Sequence, residues 1–377
     1  MHKSQAVYLD NNATTRPNSN VVAAMVDCLL ERYGNPTATS AALFGANSPA
    51  LEAAKAMTRL FNAEASSCFR FTSGATEANN WVFHHIGRKH TTSRIVISAI
   101  EHASVSEPAK ALSEMGHDLV VVPVKRNGRV DLSVLATALN DDVSFVSVIT
   151  ANNETGAVQP IEEIGKAIRG LAPRALFHTD ATQAVGKMPV DVQRDFQDAD
   201  LISFSSHKFH GPKGIGGIYI RPGINISPWI LGGGQQDGLR SGTDNTPGLA
   251  GLAVAAKQSL AGLPHFVREL RNVFEDWILT AFPGSVVYCS EVHRVDNTSC
   301  FSIPGYTGSE VADRLSWGGV FVGTGAACSS GALKPPKTLL AMGIPYEEAQ
   351  RAVRVSFSRD STQQDLQRLQ SALAKLL

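Results

Sequence analysis

The 377-residue chain is most informative first in what it lacks. Its 34 basic and 34 acidic side chains cancel to a formal charge of zero. That removes the counterion-release argument for a nucleic-acid partner, so none is expected. No apolar run approaches the roughly 18–20 residues that span a bilayer, so no membrane span is expected either. The opening Met1-His2-Lys3-Ser4-Gln5 has no apolar signal core, which makes a cytoplasmic setting the expectation. The five cysteines (Cys28, Cys68, Cys289, Cys300 and Cys328) are odd in number and form no C-x-x-C pair. A disulfide framework and a thiolate metal site are therefore not expected. There is no phosphate-loop spacing, and no G-x-G-x-x-G follows a strand; Gly323-Thr324-Gly325-Ala326-Ala327-Cys328 fails at its sixth position.

What is present is a globular composition: 43% hydrophobic and 18% charged residues, enough for a large core. Between Phe69 and Arg221, short continuous Val/Ile/Phe runs alternate with amphipathic stretches. The runs Cys68–Thr72, Arg94–Ala99, Leu119–Pro123, Val143–Ile149, Ala175–Thr179, Leu201–Phe204 and Gly217–Arg221 read as strands covered on both faces. The segments Ala75–Arg88, Ser104–Met115, Asp131–Asn140 and Ile161–Gly170 read as helices between them. Ser104-Val105-Ser106-Glu107 matches a capping box, with Pro108 in the first turn. The pattern predicts a three-layer α/β domain around a mostly parallel sheet. From Leu249 onward the pattern turns α+β, predicting a smaller second domain.

In open α/β sheets, ligands gather at the carboxyl ends of the strands. The segments that follow the strands here are polar. Thr72-Ser73-Gly74-Ala75-Thr76-Glu77 is a small-residue turn opening a helix, where exposed N–H groups suit a phosphate. Glu101-His102 follows the second strand and Asn152-Asn153-Glu154-Thr155-Gly156 the fourth. Asp180 ends the fifth, where a carboxylate needs a donor or a cation; a protonated ring nitrogen would serve. Ser205–Gly214 follows the sixth and holds two candidate Schiff-base lysines, Lys208 and Lys213, which position alone does not separate. Phosphate site, strand-end aspartate and strand-end lysine are together what a pyridoxal phosphate enzyme requires. Cys328 lies in a Gly/Ser-rich stretch, Gly323–Gly331, whose composition favours a surface loop and a reactive thiol. The other four cysteines read as small hydrophobes. Arg354, inside an apolar strand, calls for a carboxylate from the protein or from a substrate.

These motifs, from Leu9-Asp10-Asn11-Asn12-Ala13-Thr14-Thr15 through Gly34-Asn35-Pro36 and Arg240-Ser241-Gly242-Thr243 to Arg354–Arg359, stand in order along nearly the whole chain. The sequence resembles the cysteine desulfurases, pyridoxal-phosphate enzymes of the class V aminotransferase group. The Cys328 stretch is similar to the branch serving iron–sulfur cluster assembly and tRNA thiolation. The resemblance implies fold type I of the pyridoxal-phosphate transferases. A large domain would cover 15–255, and a small one 1–14 plus 256–377. It implies pyridoxal 5'-phosphate on Lys208, with Asp180 at the ring nitrogen, His102 stacked on the ring as acid/base and Gln183 at the ring hydroxyl. Ala75, Thr76, Ser205 and His207 would hold the phosphate, joined by Thr243 from the second subunit of a homodimer. Arg354, Asn153 and Asn11 would orient the substrate carboxylate, and Cys328 would be the nucleophile. The implied reaction takes L-cysteine to L-alanine and passes the sulfur to an acceptor protein. The competing readings are a selenocysteine lyase or another class V enzyme, and a catalytically silent binding partner.

Overall fold

A computed structural model describes residues 6–324 and 335–377. The chain opens with β1 (Val7–Tyr8), α1 (Ser19–Leu30) and α2 (Ser48–Phe61). Then comes the alternation expected from the sequence: β2 (Phe69–Thr72), α3 (Ala75–Lys89), β3 (Arg94–Ser98), α4 (Ala103–Glu114), β4 (Asp118–Val122), α5 (Leu132–Ala138), β5 (Val143–Ser147) and α6 (Ile161–Leu171). It continues with β6 (Leu176–Asp180), β7 (Leu201–Ser205) and β8 (Gly216–Ile220). These seven strands form one sheet in the order β2-β8-β7-β6-β5-β3-β4. Only β8 runs against its neighbours, so the sheet is mostly parallel.

Helices cover both faces, which is why the strands read as unbroken apolar runs. Successive residues of β3 show it. Ile95 and Ile97 join Trp81, Phe83 and Phe145 on one face, while Val96 joins Phe177, Ile202 and Phe204 on the other. The second face is closed by α7 (Thr246–Gln258), an Ala-rich helix buried nearly all round and packed against α1 and α2. Both α1 and α2 fall where the sequence reading named no element.

Beyond α7 lie α8 (His265–Ala281), β9 (Val286–Val287), β10 (Thr298–Ser302), α9 (Gly308–Trp317), β11 (Val320–Phe321) and β12 (Gly323–Thr324). The short helices α10 (Lys337–Ala341) and α11 (Tyr346–Ala349), then β13 (Ala352–Ser356) and α12 (Gln363–Leu373), complete the described chain. Strands β12-β13-β10-β9 make an antiparallel sheet, and β1 pairs in parallel with β11. A separate hydrophobic cluster combines Val7 and Leu9 with Phe274, Phe301, Val355 and Leu369. The N-terminal segment therefore packs with the C-terminal part and carries residues 10–15 across to the large sheet.

The helix after β3 starts differently from the expected capping box. His102 is the N-cap and its Nδ1 accepts from the Ser104 N–H at 3.1 Å, while Glu107 bonds Lys110 instead. A ring nitrogen two residues upstream satisfies the first orphan donor, so the helix begins earlier. Pro108 consequently lies inside the helix rather than in its first turn.

Candidate active site

A cavity of about 680 Å³ opens at the carboxyl edge of the large sheet. Most of its wall comes from segments that follow strands. After β2, Ser73 and Gly74 lead into α3, whose N-cap is Gly74 with no side chain to cap the first turn. The Ala75 and Thr76 N–H groups of this 15-residue helix are thus left without a side-chain acceptor at the cavity wall. Gly216 of β8 permits the close approach, since a Cβ there would fall 2.7 Å from the Gly74 Cα. Ser205, ending β7, stands across from Gly74.

Lys208 follows β7 on a single helical turn. Its Nζ donates to the carbonyls of Asn12 (2.7 Å) and Ala13 (2.8 Å). Burial pushes this amine down to about 8; Arg354 adds to the effect, while Asp180 and Asp10 oppose it. Lys213 also lines the cavity but is exposed. The environment thus separates two lysines that sequence position left equivalent. His207, beside Lys208, is pushed down to about 4 by burial and by Lys208, Lys213 and Lys187, and its Nδ1 pairs with Thr14 Oγ1.

Asp180 closes β6 and is 3% exposed. Its Oδ2 accepts from Asn79 Nδ2 at 2.8 Å and its Oδ1 from the Thr182 N–H at 2.9 Å. Two neutral donors leave its charge uncompensated at the cavity wall. Gln183 donates through Nε2 to the Asn12 carbonyl, the acceptor that Lys208 also uses. His102 lines the opposite wall. Next to it Glu101 is buried and raised to about 8 by desolvation, with Asp180 adding to the shift. Its Oε1 takes Ser98 and the Ile149 N–H, and its Oε2 has no partner.

From the second sheet Arg354 enters on β13. Its Nη2 pairs with Asp10 at 2.5 Å, its Nη1 donates to the Asn153 carbonyl at 2.9 Å, and its buried Nε has no partner. The carboxylate its sequence context called for is thus the protein's own. Arg354 still lines the cavity.

Ala75, Thr76, His102, Asn153, Asp180, Gln183, Ser205, His207, Lys208 and Arg354 all line this one cavity. Asn11 does not. Its amide is spent on the Tyr8 and Ser356 carbonyls; Asn12 lines the cavity, with its own amide committed to Asn153, Thr298, Lys187 and Asn297. Thr243 is exposed and lies outside the cavity lining. Cys328 lies outside the described residues. Asn79, Lys187 and Asp10, which the sequence reading gave no role, bond to Asp180, to Gln183 and Asn12, and to Arg354 respectively. Among the described residues no cluster of three or more His, Cys, Asp or Glu could hold a metal, and no helix is long and apolar enough to cross a membrane.

The donor set fits pyridoxal phosphate. An uncapped helix start meets the requirement for a dianionic phosphate, an under-compensated buried aspartate suits a ring cation, and a lysine with lowered basicity can attack a carbonyl. Thr182 Oγ1, also on the cavity wall, is buried without a partner, as a group awaiting a ligand would be.

The family model described as aminotransferase class-V matches residues 7–369. The chain belongs to the aminotransferase class-V family. Among similar relatives, a cysteine desulfurase of Cereibacter sphaeroides is 39% identical over 99% of this chain and 96% of its own length. The cysteine desulfurase NifS of Azotobacter vinelandii is 36% identical over 96% of this chain and 90% of its own. A solved NifS-like protein superposes with a TM-score of 0.91 at 33% identity, covering 99% of both chains. This class V member therefore shares the fold of the NifS-like protein and aligns with the two relatives over at least 90% of their length.

Proposed function

We propose that this class V enzyme is a cysteine desulfurase that uses pyridoxal 5'-phosphate on Lys208 to convert L-cysteine to L-alanine. Its sulfur would be left as a persulfide on Cys328 and handed to an acceptor protein. The observation that carries the reading is Lys208: a half-buried amine held at about 8, in one cavity with a strand-end aspartate and an uncapped helix start. The full-length likeness to cysteine desulfurases supports the choice of chemistry within the family.

When bound, the cofactor supplies an electron sink for charge developing at the substrate Cα. The residues do the rest. The α3 start with Ser205 and His207 holds the phosphate; Asp180 keeps the ring nitrogen protonated. Arg354 and Asn153 would take the substrate carboxylate. Lys208 Nζ would move the Cα proton, and His102 would serve as the second acid/base. The Cys328 thiolate attacks the substrate sulfur, the Cβ–S bond breaks with its electrons on carbon, and Cβ takes up a proton. The balance is cysteine plus a thiol giving alanine plus a persulfide.

The remaining cysteines are poorly suited to that attack. Cys28, Cys68, Cys289 and Cys300 are buried, and burial raises the thiols of Cys68, Cys300 and Cys289, the last to about 11. The reading includes a cofactor-bearing domain over 15–255, a smaller one formed by 1–14 with 256–377, and a cytoplasmic setting. It also includes a homodimer, supported by the exposed apolar side chains Val26, Leu29, Leu30, Tyr33 and Leu43 on and beyond α1. Thr243 would then reach the partner's phosphate site.

Cys328→Ala tests the assignment. Alanine formation from cysteine should fall to background while the visible absorption of the bound cofactor stays. Undiminished turnover would refute the role of the thiol.

A further inference from the structure

Lys187 is a buried lysine that the proposed chemistry does not use. It is 6% exposed, and both acceptors of its Nζ are neutral amide oxygens, Asn12 Oδ1 at 2.8 Å and Gln183 Oε1. Burial holds it well below the ordinary lysine range, and the nearby cations Lys208 and Arg354 push the same way. The histidines His207 and His210 face it as well and feel its charge. A neutral amine has two N–H donors, and these two oxygens use both.

The consequence falls on Gln183. With Oε1 taken by Lys187, its Nε2 points to the Asn12 carbonyl and the cavity, so that Nε2 and Lys208 Nζ converge on one oxygen. Asn12 is held by the same amine, and Asn297 Nδ2 is a second side-chain donor to its Oδ1. We propose that Lys187 is a positioning residue: by gripping Gln183 and Asn12 it keeps the Gln183 N–H facing the cavity beside Lys208, ready to donate to the ring oxygen of the bound cofactor. The inference rests on the cofactor reading above and deepens it. A donor at the ring oxygen draws off its electron density, so the neighbouring nitrogen that joins Lys208 to the cofactor holds its proton less tightly. Arg354 acts on that nitrogen in the same direction, and Asp180 and Asp10 act against it.

The test is a pH titration of the visible absorption of the full-length holoprotein. Lys187→Met should move the midpoint upward by about one pH unit, the equivalent of one net hydrogen bond. Combined with Gln183→Ala, the same exchange should move it by less than about a quarter of that. An unchanged midpoint in cofactor-loaded Lys187→Met overturns the proposal. So does a full shift that persists without Gln183, because Lys187 would then act by its own charge. Lys187→Ala gives the same reading should the methionine variant not fold. Failure of the underlying reading looks different: wild-type protein that takes up no cofactor, or borohydride reduction that fixes it on a residue other than Lys208.

Discussion

The depressed basicity of Lys208 has a measurable cost and a measurable use. An ordinary lysine near 10.5 is neutral in only about one molecule in 3,000 at pH 7, whereas one near 8 is neutral in about one in ten. The structure thus raises the population of attacking amine by roughly 300-fold. Cofactor uptake by the cofactor-free protein should follow this fraction, its rate rising with pH through a midpoint near 8. Glu101 titrates in the same range, so the profile should be repeated in Glu101→Gln, where the midpoint should persist. Arg354→Met removes a cation that lowers the amine and should move the midpoint up; Asp180→Asn removes an anion that raises it and should move the midpoint down. The lowered basicity also affects stability. Between about pH 8 and 10.5 the unfolded chain binds the proton that the folded chain has lost, so this group makes stability rise with pH across that window. The gain across the whole window is of order 3 kcal/mol. Stopped-flow absorbance of cofactor uptake at constant ionic strength measures the first effect. A flat profile, or a midpoint at 10 or above, would refute the assignment of a desolvated amine.

Two further outcomes follow from single contacts. A Cβ on Gly323 would fall 2.6 Å from both Arg354 Nη2 and Asp10 Oδ1, so Gly323→Ala should displace the guanidinium. The KM for cysteine should rise at least tenfold, about 1.4 kcal/mol of binding, with the thermal midpoint little changed; an unaltered KM refutes the role of Arg354. Glu275 makes a buried two-point ion pair with Arg294 at 2.7 and 2.8 Å. Glu275→Ala should cost about 3–5 kcal/mol in urea denaturation, because it strands a buried guanidinium; a loss under about 1 kcal/mol would contradict this.

The large sheet was readable because strands covered on both faces must be apolar at every position, which leaves continuous runs such as Arg-Ile-Val-Ile-Ser at 94–98. The placement of functional residues just beyond those runs was readable for the same topological reason. Hydropathy could not tell that β8 is antiparallel, because a buried strand has the same composition in either direction. Nor did it mark α1, which leaves Val22, Val26, Leu29 and Leu30 exposed and buries few of its own apolar residues. The capping of α4 turned on a ring nitrogen whose direction only the folded chain defines.

By itself, then, the order of residues indicated a mostly parallel α/β sheet, the strand-end aspartate, two candidate lysines and the arginine within a strand, since each rests on a local pattern along the chain. Tertiary structure decided what depends on segments far apart meeting. It gave Lys208 and Lys213 different environments, burying one amine against the Asn12 and Ala13 carbonyls and leaving the other in solvent. It placed Asn12 and not Asn11 in the cavity lining, and it paired Asp10 with Arg354 across 344 positions of chain. Desolvation and charge pairing act through space, so no reading along the chain could have supplied them.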